Sequence, residues 1–283
     1  MVKKILKRLI ATILLATGAL HSARQTSLAE TSSLPKSIDS LYEQAYDYFQ
    51  GTHEYDKAIA TFEEILRRDP HHLQAMKYLA VIHDWEGRPD TALEFYNRLL
   101  AIDPRHAEAL SGRASILSKL KRYQEAIADH NAAIEIDPTL GSSFNNRGMT
   151  YASLGDYPRA LQDLDKAVSL WPDEVYFRAN RAYIYVFLGR IQEAFADCKR
   201  ATALHASHTP IYLARGLAFL RSGDARQALA DLDVAISSDS DNSTARYGRA
   251  LAKRKLGDDS GAEDDTRAAL KNNPDVAARF AGW

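Results

Sequence analysis

The segment GSSFNNRGMTYASLGDYPRALQDLDKAVSLWPDE, residues 141–174, decides the fold. Gly155 divides two amphipathic runs, and Trp171-Pro172 closes the second. Glycine takes a left-handed backbone at little cost, so Gly155 reads as a helix stop. Proline pushes the preceding residue out of the helical region, so Pro172 ends the second run. Gly148 and Ala160 are small, and they fall where two antiparallel helices of a hairpin must approach closely. Phe144, Tyr151 and Leu164 are the bulky groups left to fill the gaps between hairpins.

Outward from this segment the pattern recurs with a period of 34 residues. Pro172 follows Pro70, Pro104 and Pro138, each of these three preceded by aspartate. The same place falls on Ala206 and Ser240 and returns to proline at Pro274. Seven units result: 39–72, 73–106, 107–140, 141–174, 175–208, 209–242 and 243–276. The twentieth place is alanine in all of them: Ala58, Ala92, Ala126, Ala160, Ala194, Ala228 and Ala262. The eighth is small in every unit but the first, which has Tyr46. The fifteenth is Gly87, Gly155, Gly189, Gly223 or Gly257 in five units.

A 34-residue helix–turn–helix unit with this placement of small residues, glycine and proline resembles the tetratricopeptide repeat family. The resemblance implies an all-α, right-handed superhelical solenoid of seven repeats, in which the first helix of each repeat lines a concave surface. Residues 277–283 read as a truncated capping turn, with Phe280 and Trp283 covering the apolar end of the seventh unit.

The seventh place carries Arg113, Arg147, Arg181, Arg215 and Arg249 in units three to seven. The twenty-third place of the same units carries Asp129, Asp163, Asp197, Asp231 and Asp265. In units one and two both places switch together, to Ala45 with Thr61 and to Leu79 with Phe95. In a hairpin turning near place fifteen these places lie at one height. Five structural Arg–Asp pairs are therefore expected, where the guanidinium fork suits a carboxylate. Pairing across units is the alternative, and it leaves Arg113 and Asp265 unmatched.

Charge and chemistry narrow the function. The 36 basic and 37 acidic residues leave a net charge of −1, which argues against a nucleic-acid binder held by bulk charge. A single cysteine, Cys198, excludes an intramolecular disulfide and a paired-cysteine metal or redox site. Cys198 and His130 occupy the twenty-fourth place, a core position, and read as buried. His71-His72 and the pair His205 and His208 fall at unit junctions and read as solvent-facing, so no metal or cofactor is expected. Motifs of nucleotide binding, serine hydrolysis and zinc peptidases are absent from the sequence, and a non-enzymatic chain is expected. The family's clamp for a C-terminal carboxylate needs Lys, Asn and Arg on three successive repeats. The matching places here hold Glu43 and Asp47 then Tyr78, or Asn145 and Met149 then Asn180, and do not supply it.

Residues 1–29 hold no acid and five bases, Lys3, Lys4, Lys7, Arg8 and Arg24, ahead of and around an apolar run from Leu9 to Leu20. Such a run spans about 18 Å as a helix, against about 30 Å for a bilayer core. It reads as an export signal, with 30–38 as linker, leaving the remainder in a bacterial periplasm or secreted. The alternative is an uncleaved inner-membrane anchor, with membrane contact only through residues 1–20.

The expected function is a monomeric protein–protein interaction scaffold. A membrane-tethered assembly factor, or a non-catalytic subunit presenting substrate to a separate enzyme, is the alternative. On each first helix the stripe opposite the core is places two, five, six, nine, twelve and thirteen. In units five and six this stripe becomes apolar and aromatic, beside the asparagines of units four and five. Asn145, Asn146, Tyr176, Asn180, Tyr183, Phe187, Leu213, Leu217, Leu220 and Arg221 are therefore expected to form a groove for a peptide or protein segment. The asparagines would hydrogen-bond its backbone. The competing expectation is that these groups pack on one another or on the Phe280–Trp283 tail.

Overall fold

The computed structural model describes residues 36–204 and 209–283. The expected signal segment 1–29, most of the linker and the His205 and His208 pair lie outside the described residues. Among the described residues there are helices and turns and no strand. The helices come in pairs, which we label α1 (Ile38–Tyr46) and α2 (Tyr55–Arg68), α3 (Leu73–Trp85) and α4 (Pro89–Ile102), α5 (Ala107–Lys119) and α6 (Tyr123–Ile136), α7 (Gly141–Ser153) and α8 (Tyr157–Leu170), α9 (Val175–Phe187) and α10 (Ile191–Leu204), α11 (Thr209–Ser222) and α12 (Ala225–Ser238), and α13 (Ser243–Lys255) and α14 (Asp259–Asn272). A 3-10 turn, Val276–Phe280, follows. None of the described helices is long and apolar enough to cross a membrane.

Local chemistry explains the punctuation. All seven residues at the fifteenth place have positive φ, including the two that are not glycine, His53 at 57° and Lys121 at 60°. The turn therefore demands the left-handed conformation whatever residue stands there. Asp156, Asp224 and Asp258 cap the second helices of their repeats, each accepting a hydrogen bond from the backbone N–H three residues on. At the junctions Asp69, Asp103, Asp137 and Asp239 accept from the N–H two residues on, at 2.9–3.2 Å. The same side-chain turn forms at Asp239, where Ser240 stands in place of proline.

The chain divides into two compact units, residues through Ala75 and Met76–Trp283. In the first, Leu41, Ala45 and Phe49 form the buried face of the opening helix, with Phe62 and Ile65 from α2. Tyr46 stands where the other repeats have a small residue, and its ring is 39% exposed. The buried face is shifted by one place, and Asp47–Gly51 is wound as a π turn.

In the second unit each hairpin packs on the next. All the place-twenty alanines of both units are fully buried. The eighth-place glycines leave little space for a side chain: a Cβ on Gly148 would lie 3.0 Å from the Ala160 carbonyl oxygen, and one on Gly216 would lie 2.9 Å from Leu232 Cγ. The core of repeats four to seven is continuous, running through Leu164, Ile184, Ile211, Leu217 and Leu232 to Val276 and Phe280 of the C-terminal turn.

Candidate functional site

The five arginines of the seventh place each grip the aspartate of their own hairpin through two nitrogens. Arg113 Nε donates to Asp129 Oδ2 at 2.7 Å and Nη2 to Oδ1 at 2.8 Å. Arg147–Asp163, Arg181–Asp197, Arg215–Asp231 and Arg249–Asp265 repeat this fork at 2.5–2.8 Å. Asp197 also accepts from Arg178, and Asp265 lies 3.0 Å from Lys253 Nζ.

The third nitrogen has a partner the sequence reading did not include. Nη1 reaches back to the twenty-fifth place of the preceding repeat: Arg113 to Asn97, Arg147 to Asn131, Arg181 to Asp165 and Arg249 to Asp233, at 2.6–2.9 Å. Each of these arginines thus ties its own hairpin together and fastens it to the one before. The signal was present as a column of Asn and Asp at place twenty-five, broken only by Lys199 among the five junctions.

The expected groove requires correction. Leu217 and Leu220 are fully or almost fully buried, and Tyr183, Asn145 and Asn180 are buried. A stripe turned from its own hairpin still meets the first helix of the next repeat, and that contact covers it. The asparagines are not free for a peptide backbone. Asn180 Nδ2 donates to Asn145 Oδ1, Asn145 Nδ2 to Asn146 Oδ1, and Asn146 Nδ2 to Ser115 Oγ, at 2.9–3.0 Å. They join repeats five, four and three instead. Leu213 and Phe187 are partly buried, Arg221 is exposed, and Tyr176 is 45% exposed.

Phe187 is the hub of an aromatic cluster that includes the C-terminal turn. Its ring centroid lies 5.1 Å from Tyr157, 4.8 Å from Tyr183, 5.9 Å from Phe280 and 5.3 Å from Trp283. Phe280 also packs on Tyr247 at 5.0 Å, and the Arg221 guanidinium sits 4.9 Å over Trp283. The tail therefore does more than cover the last repeat. It reaches back to the fifth.

Beside this cluster a pocket of about 590 Å³ opens at the C-terminal ends of the first helices. Lys121 and Tyr123 of repeat three, Tyr157 of repeat four, Phe187, Arg221 and, from the tail, Asp275, Arg279 and Trp283 line it. Three cations face one carboxylate there, over an aromatic floor. Burial raises the Tyr157 hydroxyl above its ordinary pKa.

Groups that would carry catalysis or metal binding are placed elsewhere. Cys198 is buried, and burial pushes its thiol up to about 12, where it stays protonated. No cluster of three or more metal-ligating side chains occurs among the described residues.

Comparison with known proteins agrees with this architecture. Family models described as tetratricopeptide repeat match residues 42–116, 107–140, 142–174, 176–208 and 213–277. No curated protein sequence matches the chain. Among solved structures, a tetratricopeptide repeat protein from Parabacteroides merdae is 20% identical, with a TM-score of 0.62 over 86% of this chain and 96% of its own. PilW, a type IV pilus biogenesis factor, is 22% identical, with a TM-score of 0.62 over 72% of this chain and 93% of its own. A thermophilic protein of the same repeat class from Thermus thermophilus is 25% identical, with a TM-score of 0.55 over 64% of this chain and 98% of its own.

Proposed function

This chain belongs to the tetratricopeptide repeat family, whose fold supports a protein–protein interaction scaffold, and we propose that it binds a partner segment at the pocket between repeats three to six and the C-terminal turn. The observation that carries the reading is the pocket itself: a 590 Å³ cleft with Lys121, Arg221 and Arg279 around Tyr157, Phe187 and Trp283. Aromatic and arginine side chains are the favoured anchors of protein interfaces. The excess of cations selects an acidic segment, and the aromatic floor gives it an apolar contact. The reading is of binding without catalysis.

Of the groove expected from the sequence, only Phe187 and Arg221 line this pocket, while Asn145, Asn180, Tyr183, Leu217 and Leu220 are buried. Arg221 and Lys121 are exposed, so charge reversal there removes the Arg221 contact with Trp283 but no buried side chain. A partner captured by the full chain should be lost with Arg221→Glu and Lys121→Glu together, at unchanged helical content. Undiminished capture would put the contact on another face.

The basic, apolar segment at residues 1–29 supports export, to a periplasm or beyond the cell. N-terminal sequencing of the chain from its native compartment tests this. A mature terminus after residue 19 or 29 is expected, retention of residues 1–20 would favour the anchored form, and a full-length cytosolic chain would refute both.

A further inference from the structure

The arginine ladder is interrupted at one junction, and the interruption has the character of a binding site. At the other four junctions an Asn or Asp oxygen at place twenty-five meets the arginine Nη1 at 2.6–2.9 Å. Between repeats five and six that place is Lys199. Arg215 still grips Asp231 through Nε and Nη2, which fixes the plane of its guanidinium. Its Nη1 has no hydrogen-bond partner among the described residues, and its side chain is 29% exposed. The guanidinium also lies 5.2 Å over the Tyr212 ring, a second restraint on its position.

At Lys199 and Arg215 a hollow of about 490 Å³ opens, walled by Phe195, Thr202 and Ala203. Two cations line it, and the aspartate beneath them is already engaged. A donor edge held rigid by its neighbours is prepared for an external oxygen, because little order remains to be imposed on binding. A carboxylate matches both the ladder's own acceptors and the added charge of Lys199.

We propose that this hollow is a carboxylate-binding site for an acidic segment of a partner protein. The carboxylate takes the acceptor position that Asn97, Asn131, Asp165 and Asp233 hold at the other junctions. The ammonium of Lys199 neutralises its charge, and Phe195 and Ala203 receive the methylene stem. The site uses α10 and the outer edge of α11, shares no residue with the tail pocket, and stands or falls independently of it.

The test uses the full chain and a blocked Gly-Glu-Glu-Gly peptide, with Gly-Gln-Gln-Gly as its neutral counterpart. Binding is followed by side-chain NMR of Arg215. The acidic peptide should shift the Arg215 signals saturably, and the neutral one should bind about tenfold more weakly or not at all. Lys199→Asp supplies the missing acceptor from within. It should melt at or above the parent temperature and lose the peptide response, whereas Lys199→Met should keep a weakened one. Equal binding by both peptides, an unaltered response in Lys199→Asp, or no saturable shift in the parent would overturn the proposal. Inorganic phosphate that displaces the acidic peptide at lower concentration would overturn the assignment to a carboxylate.

Discussion

His130 should make this protein lose stability in mild acid, by an amount the structure sets. The ring is completely buried at the twenty-fourth place of repeat three. Neither ring nitrogen has a hydrogen-bond partner among the described residues. Burial, helped by the nearby Arg147 charge, lowers its pKa from 6.5 to about 3. The folded state therefore refuses a proton that the unfolded chain accepts below pH 6.5. Stability rises with pH between about 3 and 6.5 and is fully present above that window. Linkage over this range gives a loss of about 2 kcal/mol between pH 8 and pH 5 from this one residue.

The corresponding core places hold Leu164 and Leu232 in repeats four and six, so His130→Leu is the matched variant. It should be more stable than the parent at pH 8 by about 1–3 kcal/mol, because a buried polar ring without partners is removed. It should also lose about 2 kcal/mol less on acidification, since all other titrating groups are common to both chains. Urea unfolding at pH 8, 6 and 5 measures both quantities. Hydrogen exchange across α6 provides the local check, because repeat arrays open in segments. Acid sensitivities of the two proteins that agree within about 0.5 kcal/mol would refute the reasoning.

Arg181→Ala should cost about 3 kcal/mol, because it leaves buried Asp197 short of its main partner. The double variant with Asp197→Ala should cost less than the sum of the singles, and strict additivity in urea unfolding would dismiss the pairing energy. Lys121→Gly should raise stability by about 1 kcal/mol, since Lys121 holds φ at 60° where glycine is unstrained. Gly155→Ala should lower it by about 1–2 kcal/mol although nothing lies within 4 Å of the new methyl, and a neutral thermal shift in either would contradict the backbone argument.

The repeat, its helical hairpin and the Arg–Asp fork were legible because each rests on short-range rules. Glycine and proline act on their own φ and ψ, and helical periodicity sets which residues share a face. The joint switch of Ala45 with Thr61 and of Leu79 with Phe95 showed that places seven and twenty-three are partners, which a hairpin makes neighbours. The acceptors at place twenty-five were equally visible as a column of Asn and Asp, but they act between repeats, where the packing direction of successive hairpins decides what meets. The burial of Tyr183, Leu217 and the asparagines was decided in the same way. A single helix's polar face does not reveal that a neighbouring helix covers it. The return of Phe280 and Trp283 to Phe187 depends on the accumulated rotation of repeats five to seven. That rotation is a property of stacked contacts between residues far apart in the chain, so the sequence offered the tail contact only as the alternative to an open groove. The sequence by itself determined the repeating unit and its internal clasp. The tertiary structure decided which surface was left for a partner, because burial is settled by what the next hairpin and the tail bring against each face.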